Sequence, residues 1–218
     1  MRAHLPRSPG LRTLPLLAVL LILQAALPGV CPAQSGGGSE PQPSQRQEDS
    51  YAIYSLLMPG GVFARMDSSQ NQRWAIARTT VSAQDIDPAL APEAALQAPT
   101  GDPKPFYEAV ADYNLRKNQR LVLTRRFQLD HPYELFSRSE IAEFRAVRAG
   151  AYAGSALQQK YSGFPGITYF SQVYFSTDDG AALVYMVDWC GNLCAQAEWV
   201  YLEKQGGQWA RRSGESSQ

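Results

Sequence analysis

Hydrophobic positions along the chain fall into three regimes. An unbroken apolar run, LPLLAVLLIL from Leu14 to Leu23, follows a basic stretch from Arg2 to Arg12 and precedes a small-residue and Pro-rich segment, AALPGVCPAQ. From Gln34 to Asp49 the chain is polar throughout, with no large apolar side chain to bury. After residue 50 the apolar positions return in short periodic groups, first at helical and then at strand spacing.

Tyr51, Tyr54, Leu57 and Met58 recur at helical spacing, which predicts a short helix over 50–58 that Pro59-Gly60-Gly61 ends, with the aromatics anchored in the core. The segment RWAIARTTV at 73–81 alternates and reads as an edge or second-layer strand, followed over 85–99 by an Ala- and Pro-rich connection with one or two helical turns. Asp102 is a cap candidate for a helix running to about Lys117, with Phe106, Val110 and Tyr113 or Asn114 on one side. LVLTRRF at 121–127 reads as a strand. Ser137-Arg138-Ser139-Glu140 has capping-box spacing ahead of Ile141, Phe144 and Val147, so a helix is expected from about 138 to a stop at Gly150. A further short helix is expected over 153–161, ending at Gly163, with Pro165-Gly166 turning the chain.

The clearest pattern comes last. Residues 168–176, 181–188, 197–204 and 208–212 are strand-like and are separated by Asp178-Asp179-Gly180, by a Cys-bounded loop and by Gly206-Gly207. Leu183, Tyr185 and Val187 fall on one face and Val184 and Met186 on the other, so both faces are expected to be covered. The fold class that follows is α+β, a C-terminal antiparallel β-meander packed against three or four short helices.

The first regime has the three parts of an export signal, and its apolar core of about ten residues is half of the ~20 that a membrane-spanning helix needs. The organisation expected is an export signal at 1–33, a flexible linker at 34–49, one α+β domain at 50–212 and a disordered tail at 213–218, with no transmembrane span after signal removal. The protein is expected to be exported, periplasmic or extracellular; lipid anchoring at Cys31 is the alternative, against which stands Val30, where lipoprotein processing wants a small residue. With Arg2, Arg7 and Arg12 set aside, 17 of the 20 basic residues face 20 acidic ones, a formal charge of −3. That balance gives no field for a nucleic-acid backbone, so nucleic acid is not an expected partner.

The run YFSQVYFSTDDGAALVYMVDWCGNLCAQAEWVYLEKQGGQW, with YAIYSLLM and the PFYEAVADYN helix, resembles a group of uncharacterised exported bacterial proteins. In these, two strands joined by a CG-x-LC loop end in a Leu-Glu-Lys strand and a Gly-x-Trp turn. The resemblance covers residues 51–212. It implies a small α+β fold with no assigned activity, and it supplies no catalytic residue. Where that group has a longer apolar strand after the first helix, this chain reads PGGVFARMDSSQNQRW, which is polar and Gly-interrupted.

Cys190 and Cys194, four positions apart across a hairpin connection, are expected to form a disulfide in an oxidising compartment, pinning Gly191-Asn192-Leu193. Thiol redox chemistry is the alternative for this pair, although reactive pairs usually sit C-x-x-C at a helix N-terminus. No metal is expected, because zinc needs four ligands and the body offers two cysteines, one histidine and scattered carboxylates. His131 is the one histidine after the signal, in the turn Asp130-His131-Pro132; Glu108 and Asp112 are helix neighbours four apart, with Arg116 an ordinary partner for Asp112. Asp178 and Asp179 read as turn residues. Trp189, Trp199, Tyr201 and Trp209 cluster around the meander, where they serve either as sheet packing or as a groove for a ligand.

The function expected is therefore an exported non-enzymatic domain with no cofactor. It would bind a protein or small-molecule ligand through an aromatic sheet face (Trp189, Trp199, Tyr201, Trp209) and the pinned hairpin (Asn192, Leu193). The alternatives are a hydrolase-like enzyme using His131 or Glu108/Asp112, and a thiol redox protein using Cys190/Cys194. Oligomeric state is not legible in the sequence.

Overall fold

The structure, a computed structural model, describes residues 44–61, 63 and 72–212; the expected export signal, Cys31, residues 34–43 of the expected linker and the 213–218 tail lie outside the described residues. Helix α1 spans Gln45–Leu57, so it begins inside the segment expected to be a linker. Ser44 caps it, its Oγ accepting the Gln47 N–H at 3.3 Å. This polar stretch folds because of Asp49. Its carboxylate is buried and accepts from Lys204 Nζ at 3.0 Å and from Trp209 Nε1 at 3.1 Å, which ties the first turns of the helix to the end of the sheet. The linker expectation is corrected accordingly for residues 44–49.

One mixed sheet holds the strands β1 (Trp74–Ala77), β2 (Tyr133–Phe136), β3 (Ile167–Phe170), β4 (Tyr174–Phe175), β5 (Ala181–Gly191), β6 (Cys194–Gln205) and β7 (Gln208–Arg211). Their order is β2-β1-β3-β5-β6-β7, and β4 pairs with β5 beyond the end of β3. β3, β5, β6 and β7 are antiparallel neighbours, as the meander pattern requires. β1 is not an edge or second-layer strand: it lies between β2 and β3 and runs parallel to both. All four of its residues are buried, as an inner parallel strand covered on both faces demands.

Two further expectations change. The strand expected over 121–127 reduces to an isolated antiparallel bridge between Thr79 and Val122. The chain leaves the sheet there because Tyr51 Oη accepts the Thr124 N–H at 2.7 Å, and Leu123 and Phe127 turn into the core. The strand expected over 168–176 is interrupted at Ser171-Gln172-Val173, where Ser171 Oγ accepts the Tyr185 N–H at 2.9 Å and Gln172 donates to the carbonyls of Arg116 and Gln119.

Helices α2 (Pro92–Ala95), α3 (Lys104–Arg116), α4 (Arg138–Arg148) and α5 (Ala156–Tyr161) complete the fold. Alternation along β5 divides the core. Ala182, Val184 and Met186 pack in the cluster that holds Tyr54 and Leu57 of α1, while Ala181, Leu183 and Tyr185 pack with Phe106, Val110 and Tyr113 of α3. In a third cluster, Phe136, Phe144, Tyr161 and Phe164 meet edge-on between β2, α4 and α5, the arrangement that aromatic quadrupoles favour. The capping box of α4 forms: Ser137 Oγ accepts the Glu140 N–H and Glu140 accepts the Ser137 N–H at 2.8 Å. The class is α+β. Among the described residues, no helix is long and apolar enough to cross a membrane.

Candidate functional site

The hairpin of β5 and β6 carries the cysteines at its strand ends. Trp189 pairs with Ala195 and Gly191 with Cys194, so Cys190 is an extra residue in a bulge and the turn itself is only Asn192-Leu193. Gly191 has φ 152°, a left-handed value that favours glycine. Cys190 and Cys194 are bonded across a Cα separation of 5.2 Å. At the tip Leu193 is fully exposed. At the base Trp189 is half-buried, edge-on to Phe144 at 6.0 Å and beneath the Arg145 guanidinium at 5.1 Å.

The other aromatics do not gather on one open face. Trp199 and Tyr201 are buried, at 5% and 6% exposure, beneath α3 and the loop before it. Trp199 Nε1 donates to the Leu90 carbonyl at 2.6 Å, and Tyr201 is edge-on to Phe106 at 5.5 Å. Trp209 sits on the opposite face, held by Asp49 and packed on Phe175. The expected common aromatic groove is therefore divided by the sheet: Trp199 and Tyr201 fill the interior, while Trp189 and Trp209 stay half-buried.

Glu108 and Asp112 are both committed to backbone next to them, in β4 and the turn that follows it. Asp112 Oδ2 accepts the Phe175 N–H at 2.8 Å and Glu108 Oε2 accepts the Thr177 N–H at 3.0 Å. The match is geometric, because four helical residues rise ~6 Å and two extended residues ~6.6 Å, so the carboxylates meet one N–H at the end of β4 and one at the start of the turn after it. Asp112 also pairs with Arg116, which donates onward to Gln172 Oε1 and to the Val173 carbonyl, both at 2.8 Å. These groups seal the open side of β4. Asp178 and Asp179 serve the turn: Asp178 accepts from Ser176 Oγ and from the Gly180 N–H, which hold its carboxyl below the usual range, and Asp179 pairs with Arg46.

His131 lies on a cleft of about 340 Å³ with Ser55, Gln72, Trp74, Gln128 and Asp130. Its ring is edge-on to Trp74 at 6.1 Å. The cleft's hydroxyl is already used twice, Ser55 Oγ donating to the Tyr51 carbonyl at 2.7 Å and accepting the Gln128 N–H at 2.9 Å. A serine engaged in this way lacks the histidine partner that activates a nucleophile. Gln72 Oε1 is buried with no hydrogen-bond partner among the described residues. Among the described residues, no three His, Cys, Asp or Glu side chains group closely enough to hold a metal ion.

A second cleft, of about 320 Å³, opens between α1 and the 121–123 segment. Its walls are Tyr51, Tyr54, Leu121–Leu123, Val173 and Phe175, with Arg46 and Arg116 among the lining residues. Tyr54 is fixed by its hydroxyl, which donates to the Ser171 carbonyl at 2.9 Å, and burial followed by the neighbouring Tyr174 and Tyr51 pushes its pKa up, so the phenol stays neutral. Arg46 lies over the Phe175 ring at 5.5 Å and pairs with Asp179. Leu121 and Val122 are exposed at 47% and 69%. Apolar walls bounded by arginines that are already paired with Asp179 and Asp112 suit an apolar segment of a ligand. The hairpin tip stands at the far end of β5 from this cleft, since Phe175 pairs with Ala182 near the start of that strand.

Sequence reasoning did not assemble this cleft. Tyr51 and Tyr54 were legible as helix anchors, but the segment facing them reads as an ordinary strand, and nothing local brings Arg116 beside it. Comparison with protein-family models, with curated proteins and with solved structures finds no match for the chain.

Proposed function

We propose that the chain is an exported, non-catalytic binding domain whose site is the cleft between α1 and Leu121–Leu123. One observation carries this reading: the candidate acid–base carboxylates Glu108 and Asp112 are spent on the backbone of β4 and the turn after it, while the cleft beside them keeps an apolar wall and exposed Leu121 and Val122. The disulfide then serves as a clamp on a hairpin tip remote from the site, and the aromatic residues of the sheet serve as core.

The test is an NMR titration of the full chain with a defined library of small organic acids, sugars, esters and short peptides, read both for amide shift changes and for turnover. Shifts gathered at Tyr51, Arg116 and Leu121–Leu123 with the library unchanged are the expected result. Hydrolysis of an ester or peptide, abolished by His131→Ala, would replace this reading with the hydrolase alternative, and shifts confined to the hairpin tip would relocate the site.

A further inference from the structure

We propose that the cleft binds an acidic peptide segment in extended form, which adds to the sheet as a strand alongside Val122. This rests on the binding-domain reading above and names the ligand of the same site.

The backbone supplies the first argument. Leu121–Leu123 runs antiparallel to Arg78–Thr80, with the Thr80 N–H donating to the Leu121 carbonyl at 2.9 Å and the Leu123 N–H donating to the Arg78 carbonyl at 2.7 Å. In an antiparallel ladder this makes Thr79 and Val122 a pair without mutual hydrogen bonds, so the N–H and C=O of Val122 point away from the sheet. Neither is hydrogen-bonded among the described residues. An open donor and acceptor on one residue, at the rim of a cleft, is what an added strand satisfies.

Charge supplies the second. Residues 113–129 contain five basic residues and no acidic one. Arg116 is neutralised by Asp112 and Arg120 by Asp85, but Lys117, Arg125 and Arg126 have no carboxylate partner among the described residues. Arg126 sits over the Tyr51 ring at 5.5 Å, on the cleft wall, and Arg125 over Tyr133 at 6.0 Å. Lys117 lies away from the cleft, over Tyr113, but Arg126 and its neighbour Arg125 place unpaired positive charge beside the open edge although the body as a whole is mildly acidic. Exposed Leu121 and Val122 ask for apolar side chains between the acidic ones. An anionic membrane would satisfy the charge but not the Val122 backbone, which needs a peptide.

The experiment uses the full chain and an acetylated, amidated peptide of alternating Glu and Val, with three comparators: the same peptide with Lys for Glu, the peptide N-methylated at its central residues, and vesicles of phosphatidylglycerol. The expected result is saturable binding to the acidic peptide, with shifts at Leu121–Leu123, weakened about tenfold or more by N-methylation, by the Lys exchange and by Arg125→Gln/Arg126→Gln, and weakened by salt. Val122→Pro removes the outward N–H, which makes no bond in the fold, and gives the same loss; if that variant does not fold, the N-methylated peptide on the native chain decides the point. Equal binding of the N-methylated peptide, or vesicle binding that survives where peptide binding is absent, overturns the proposal. If other ligands perturb the cleft and the acidic peptide does not, this inference falls while the binding-domain reading stands; if no ligand perturbs the cleft, both fall.

Discussion

Replacing Asp112 by alanine separates a structural carboxylate from a chemical one. The change strips the Phe175 N–H of its acceptor and leaves the Arg116 guanidinium without its counter-charge, at a site where the side chains are 16% and 27% exposed. A hydrogen bond to a charged group contributes about 1.5–3 kcal/mol, and breaking a buried pair costs about 3–5 kcal/mol; because Arg116 keeps some water and two other acceptors, the lower part of the combined range applies, about 3 kcal/mol. For a body of this size that corresponds to a fall of roughly 6–12 °C in Tm. Asp112→Asn keeps an oxygen for the Phe175 N–H and loses about half as much. Urea unfolding monitored by tryptophan fluorescence gives the free energies, with the slope m required to stay constant for the comparison to hold. A loss below about 1 kcal/mol for Asp112→Ala would place the pair among exposed surface bridges and refute the assignment, because a carboxylate that stabilises so little is free for other work.

Two other outcomes follow from the structure. Replacing Cys190 and Cys194 together by serine removes a closure of only four positions, so the loss is small, about 2 kcal/mol on the chain-entropy estimate; amide exchange accelerates at Asn192 and Leu193 while the fluorescence of Trp199 is unchanged, and global unfolding of the variant at neutral pH would contradict this. Glu140 is held below the usual carboxylate range by the Ser137 hydroxyl and then by the Ser137 N–H, so its contribution to stability is complete above its unfolded value near ~4.3 and is lost as pH falls through the lowered native value. Glu140→Gln is less stable at neutral pH by about 0.5–1 kcal/mol and loses less on acidification; midpoints that run parallel to those of the native chain from pH 6 to pH 3 would show the capping box to be unimportant.

Elements with a local cause were legible in the sequence, and those with a distant cause were not. The capping box at Ser137-Glu140, the periodic face of α3 and the turns between β5, β6 and β7 each draw their signal from residues within a few positions, and each appears, although β5 and β6 run further than the expected 181–188 and 197–204 and shrink the Cys-bounded loop to Asn192-Leu193. β2 carries no such signal: it is four residues long, and its pairing with β1 is parallel and some 60 positions away. LVLTRRF has the composition of a strand, yet Tyr51, 73 positions earlier, takes the Thr124 N–H and ends its pairing. The start of α1 had a weak sign in Ser44 and Gln47 at cap spacing, but Asp49 finds its partners in Lys204 and Trp209, more than 150 positions later. The site shows the same division. The cysteine bridge is a local feature and was expected, whereas the cleft joins α1, the 121–123 segment and the β3–β4 interruption, which no local pattern brings together.

The place of β1 bears on how the chain comes to fold. Its neighbours are Tyr133–Phe136 on one side and Ile167–Thr168 on the other, and Ala75 meets Ile167 across 92 intervening steps of chain. Loop closure of that length must precede any reward from the pairing, whereas the ribbon of β5, β6 and β7 gains its contacts between near neighbours. During synthesis the N-terminal half emerges first, carrying Trp74, Ile76 and the aromatics of α1, which Leu123, Phe127 and Leu135 meet first and which Phe170, Val184 and Met186 cover only when the last fifty residues arrive. β1, the second strand from one edge of the finished sheet, thus gains its β3 neighbour only once the chain has reached Ile167, and that side of β1 stays open until then.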